Sequence, residues 1–197
     1  MQKTTNTSLN IALLGIFSAV VAVLQSLSYL IKIGPFNLSL VLIPIVLGAV
    51  IYGPKFGAVL GGVFGVITII GCITGIDAGG QILFNSSPFL TILTCLAKGV
   101  AAGFVAGLVG NYSKLKNRYI ATVLAAVSAP VVNTGLFIIA MFLFFKETLY
   151  AWSGDTNVFY YTITALIGFN FLIEFSINAV FSPVIYRIIT ALKKGNY

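Results

Sequence analysis

Long apolar runs, separated by short polar or glycine–proline breaks, dominate this chain. A helix needs about 20 apolar residues, each rising about 1.5 Å, to cross a hydrocarbon core of roughly 30 Å. Runs of that kind cover residues 8–31, 38–52, 56–74, 88–112, 119–145 and 159–192 approximately. The pattern predicts an all-α membrane protein, a bundle of about six transmembrane helices forming one integral membrane domain over residues 1–197. The second run is short and predicts a broken or partly inserted helix. The last is long enough to tilt, or to project beyond the bilayer.

The breaks follow from backbone chemistry. Lys32-Ile-Gly34-Pro35 ends the first run, because proline lacks the amide proton a continuing helix needs. Tyr52-Gly53-Pro54-Lys55 reads as a tight turn between antiparallel helices. Residues 75–87 read as a loop with Asp77, Gln81 and Asn85, 113–118 as a short basic loop, and 146–158 as a longer polar connection. The first run is too long for the apolar part of a signal peptide and lacks a small-residue cleavage site, so it reads as a retained helix.

Composition agrees. Charged residues make up 8% of the 197 residues, against about 25% in ordinary soluble domains, and mean hydropathy is +1.07. The formal net charge is +7, but its distribution points to topology rather than nucleic acid. Lys3, Lys55, Lys114, Lys116, Arg118, Arg187, Lys193 and Lys194 fall on one side of the predicted bundle. The other side carries Lys32 and Lys146 with Asp77, Glu147 and Asp155. Lysine and arginine favour the cytoplasmic face, which predicts that both termini are cytoplasmic. Trp152, Tyr150, Tyr160 and Tyr161 suit the outer interface.

Several chemistries are excluded. The chain has no histidine and no GxxxxGK[ST] phosphate loop, so histidine-based proteolysis and ATP hydrolysis lose their central parts. No enzyme activity, cofactor or metal site is expected. Cys72 and Cys95 lie in apolar runs and read as small buried packing groups. Any ATP-driven uptake must draw on another chain's ATPase.

Two charges lie inside predicted spans, Lys98 in the fourth and Glu174 in the sixth. A charge at the centre of a spanning helix costs about 2.5–3.5 kcal/mol on insertion scales, and such residues face a bundle interior or a cavity. Lys98 and Glu174 therefore form a structural ion pair, or Lys98 meets an anionic solute while Glu174 holds it or bonds solute polar groups. Asn170, Glu174 and Asn178 recur every four residues and mark one helix face. Asn133 and Thr134 follow Pro130, which frees a backbone carbonyl in the fifth span. Lys98, Asn133, Asn170 and Glu174 together would line a pocket for a small carboxylate bearing hydroxyls or amides; interhelical hydrogen bonding is the plainer alternative. The stretch from Gln81 to Ser87 is placed to close over it, with Asn85 bonding the solute. Ser86 or Ser87 fits equally well as a helix cap before Pro88.

Small residues four apart recur at Gly57, Gly61 and Gly65, at Gly99, Gly103 and Gly107, and at Gly15 and Ala19. Such spacing lets helix backbones approach closely, within the bundle or, for Gly15 and Ala19, against a partner subunit.

The stretches Val46-Leu-Gly-Ala-Val-Ile-Tyr-Gly-Pro-Lys-Phe-Gly57, Lys98-Gly-Val-Ala-Ala-Gly-Phe-Val-Ala-Gly107 and Pro130-Val-Val-Asn-Thr-Gly135 resemble the S components, the substrate-binding subunits of energy-coupling factor vitamin transporters. The chain looks most like their pantothenate-specific branch. The resemblance implies a single vitamin bound with high affinity near the outer side, and a transport subunit without its own ATPase. It implies assembly with a transmembrane coupling subunit and two cytoplasmic ATPase subunits, and release by toppling in the membrane. The family's first-helix AxxxA motif faces the coupling subunit; here the matching positions are Gly15 and Ala19, with Ala12 one turn earlier. Pantothenate, an anion with one amide and two hydroxyls, suits Lys98 and its amide neighbours. S components for hydroxymethylpyrimidine or pyridoxine are the nearest alternative, and a passive channel or structural membrane subunit is the alternative of another class.

Overall fold

A computed structural model describes residues 7–30, 32–33, 36–37, 40–112 and 117–194. The chain forms α1 (Thr7–Ser28), a minimal antiparallel pair β1 (Lys32–Ile33) and β2 (Phe36–Asn37), α2 (Leu42–Tyr52) and α3 (Pro54–Thr74). There follow α4 (Ala78–Ser86), α5 (Pro88–Gly110), α6 (Arg118–Phe144), α7 (Lys146–Ser153) and α8 (Val158–Tyr161). A π-helical stretch, Thr162–Gly168, then leads into α9 (Phe169–Lys194). The predicted break at Gly34-Pro35, the loop cations Lys114 and Lys116, and Lys3 lie outside the described residues.

Among the described residues, five segments are long and apolar enough to cross a membrane: Leu9–Ser28, Pro54–Thr74, Pro88–Gly110, Arg118–Phe144 and Asn170–Ala191. The second predicted span is instead the 11-residue helix Leu42–Tyr52, about 16 Å long at 1.5 Å per residue. Its residues Leu42, Ile45, Val46 and Ala49 are fully buried, so this short helix is enclosed by protein rather than lipid.

Two expected loops are corrected. Residues 78–86 are helical, started by Asp77, whose Oδ1 accepts from the Gly80 amide at 3.0 Å. Residues 146–153 form α7. Both short helices bury one apolar face: Leu83 and Leu149 close on Met141 and Phe145 at the end of α6.

Contacts fix the direction of each long helix. Gly57 meets Gly103 and Gly61 meets Gly99, so α3 and α5 run antiparallel. Phe17 of α1 packs edge-on against Phe56 of α3, and Tyr29 donates to the Ile67 carbonyl, so α1 and α3 are parallel. Tyr119 at the start of α6 meets Tyr186 near the end of α9. The start of α1 and the end of α9 therefore share one end of the bundle. An alanine-rich core fills that end, with Val46, Ala49, Ala106, Ala125, Ala126 and Ala129 fully buried.

Candidate functional site

The opposite end of the bundle is hollow. A cavity of about 860 Å³, counting its open mouth, lies among the last turns of α1 and α3, the first half of α5, the middle of α6, the start of α9, and α4. Val41 and Leu42, at the start of α2, pack with Phe64 of α3. Phe64 also lines the cavity, so the hollow begins where the short helix stops.

Lys98, Asn133, Asn170 and Glu174 all line this cavity. The Lys98 ammonium, from the middle of α5, stands 5.2 Å from the centroid of the Phe137 ring and 5.9 Å from that of Phe64. Aromatic faces hold a cation in a low-dielectric site through the ring quadrupole. Gly99 and Gly103, on the side of α5 facing α3, bring the two backbones together.

Asn133 lies one turn past Pro130 on α6 and is 6% exposed; its side-chain carbonyl oxygen is buried and has no partner among the described residues. Glu174 is 5% exposed. Its backbone carbonyl accepts from the Asn178 side-chain amide at 2.8 Å, so Asn178 is tied to its own helix and is not part of the lining. The π-helical stretch just before α9 rotates the backbone relative to an α-helix, and such insertions gather at functional sites. It ends two residues before Asn170.

Gln81 and Asn85 are not brought to the cavity. The Gln81 amide folds back over Gly75, which ends α3 in the left-handed region at φ +79°. Asn85 is exposed, two residues beyond the inward Leu83, which at about 100° per residue turns it to the outer side of α4. Ser87 occupies the cap position of α5 but makes no side-chain cap bond; Asp77, capping α4, is itself a lining residue.

Other lining residues carry no binding role that the sequence pattern predicts. Thr68, Thr91 and Thr94 donate their hydroxyls to carbonyls four residues back, at 2.9, 2.9 and 2.7 Å, which leaves their oxygens as acceptors. Cys72 of α3 and Cys95 of α5 are free thiols that face each other at the cavity wall. Gln25, near the end of α1, is 3% exposed and lies beside the Tyr29 hydroxyl. Its signal was an amide late in an otherwise apolar run.

A cation, a carboxylate, several amides and hydroxyls, and the rings of Phe64, Phe137 and Phe171 thus surround one space. Polar groups that converge on one concavity between apolar ring faces are what orients a small molecule. No nucleophile paired with a base is among them. The arrangement binds and orients.

Ala12, Gly15 and Ala19 lie elsewhere, along the exposed face of α1 with Ile16 and Val23. A Cβ placed on Gly15 meets nothing within 4 Å.

Comparison with known proteins agrees with this architecture. Residues 9–186 match the family model "ECF transporter, substrate-specific component". The chain is 27% identical over 203 residues to the pantothenic acid transporter PanT of Lactococcus lactis subsp. cremoris (strain MG1363), covering 95% of this chain and 96% of the relative. The chain therefore belongs to the substrate-specific components of ECF transporters, multi-pass proteins of the cell membrane that serve vitamin uptake and are not enzymes.

Proposed function

We propose that this chain is the high-affinity pantothenate-binding subunit of an ATP-driven importer. The observation that carries the reading is Lys98, a half-buried cation at the cavity wall of an apolar bundle. A carboxylate supplied from outside gives it a counter-charge in a site of low dielectric. The amides of Asn133 and Asn170 and the carboxylate of Glu174 then serve the hydroxyls and amide of the pantoyl portion. The likeness to a pantothenic acid transporter supports this choice of vitamin.

The remaining parts of the reading are those of a transport subunit. Both termini are cytoplasmic in this proposal, which puts Lys55, Arg118 and Arg187 on the positive inner side and the cavity toward the exterior. In this topology α2 is a sixth, half-length membrane segment. ATP hydrolysis is assigned to two cytoplasmic ATPase subunits, joined through a transmembrane coupling subunit. The open face of α1 at Ala12, Gly15 and Ala19 is the docking surface for that coupling subunit. Gln81 and Asn85 serve the solute only if α4 moves when the site closes.

The test is calorimetric titration of purified protein with pantothenate, with mass spectrometry of any co-purified ligand. Lys98→Ala weakens binding by about 100-fold or more, the usual cost of removing one partner of a buried charge pair, while the protein stays monodisperse. Unchanged affinity in that variant removes the assigned role, and a different co-purified vitamin removes the substrate.

A further inference from the structure

Hydrogen-bond bookkeeping around Tyr29 has a consequence for the solute. A tyrosine hydroxyl has one proton to give. Tyr29 gives it to the Ile67 backbone carbonyl at 2.9 Å. The phenolic oxygen is then left only to accept, and the Gln25 amide lies beside it. An amide facing that oxygen can meet it only with its nitrogen, which directs its carbonyl oxygen elsewhere. This oxygen is buried and has no partner among the described residues.

The geometry is locked from outside as well. A Cβ on Gly71 would collide with the Tyr29 hydroxyl, so Gly71 is the space in which the ring end sits. The Asn133 carbonyl oxygen, on a different wall, is in the same condition. A buried acceptor left unsatisfied costs about 1–3 kcal/mol, and both side chains belong to the cavity wall. Neither amide oxygen can bond a carboxylate, because both only accept.

We infer that Gln25 and Asn133 are specificity-determining residues that demand hydrogen-bond donors on the solute, so that the cavity takes a hydroxylated carboxylate and refuses its deoxy counterpart. Lys98 selects the charge; the two amide oxygens select the hydroxyls. Tyr29 is a positioning residue acting through Gln25. The inference rests on the cavity being the solute site of this transport subunit.

The experiment compares two ligands on purified protein by calorimetry: pantothenate, and N-(3,3-dimethylbutanoyl)-β-alanine, which keeps the carboxylate and the amide but lacks both hydroxyls. Wild-type protein is expected to prefer pantothenate on the order of 10- to 100-fold, the value of one or two buried hydrogen bonds. Gln25→Leu and Asn133→Ala each shrink that preference several-fold by weakening pantothenate while leaving the deoxy ligand nearly unchanged. Tyr29→Phe shrinks it less, and keeps the test decisive if Gln25→Leu does not fold. Variants that weaken both ligands by one common factor, or that leave the preference intact, overturn the inference while the pantothenate reading stands. Wild-type protein that binds neither ligand overturns both.

Discussion

The carbonyl oxygen of Gly99 occupies the place a Cβ on Gly61 would take, and the carbonyl of Gly61 does the same to Gly99. The two glycines thus let α3 and α5 touch backbone to backbone, immediately beside Lys98. Gly61→Ala forces these backbones apart, and overpacking of this kind costs about 1–3 kcal/mol. The melting temperature of the detergent-solubilised protein falls, and pantothenate affinity falls with it. Gly15→Ala, at an open position, changes neither. Equal melting temperatures for the two variants would contradict this account of the interface.

Bulk added to the open face of α1 has a different expected effect. Gly15→Leu and Ala19→Leu retain ligand affinity in the isolated subunit but lose co-purification with the coupling and ATPase subunits and lose uptake in cells. A loss of ligand affinity equal to the loss of uptake is the contrary result.

Phe137 holds Lys98 by its ring face at 5.2 Å. Phe137→Leu keeps an apolar wall and removes the quadrupole. Such contacts are worth about 0.5–2 kcal/mol, so affinity for pantothenate drops roughly 3- to 30-fold. A neutral analogue in which a primary amide replaces the carboxylate shows a smaller drop in titrations of the same variant. Identical drops for both ligands detach Phe137 from the ammonium.

The paired thiols of Cys72 and Cys95 offer a reporter of occupancy. Both line the cavity and are almost fully buried. Saturating pantothenate is expected to slow their reaction with a small maleimide several-fold, followed by intact-mass spectrometry. Labelling at the same rate with and without ligand places the solute elsewhere.

The long helices were legible because lipid imposes a length and an apolar composition that few other environments do. Lys98, Asn133, Asn170 and Glu174 were legible for the complementary reason: polar groups in hydrocarbon are costly, so they converge. The structure brings these four around one cavity. The short helices α4 and α7 were not legible, since each buries little more than one leucine, Leu83 or Leu149, and the periodic signal is correspondingly thin. Gln81 and Asn85 fall outside the cavity lining as a result, because a helix turns consecutive residues to different sides. Gln25 was hidden by its position in a helix otherwise read as a docking face. Its partner Tyr29 acts through a carbonyl 38 residues away, a relationship that no local pattern encodes.

The half-length of α2 decides how cargo can leave. Beneath the hollow, the 11 residues of Leu42–Tyr52 act as a stopper wedged among alanines. Under the proposed function, a solute seated above that stopper leaves by the door it entered, and delivery to the far side of a bilayer turns or hands over the vessel itself.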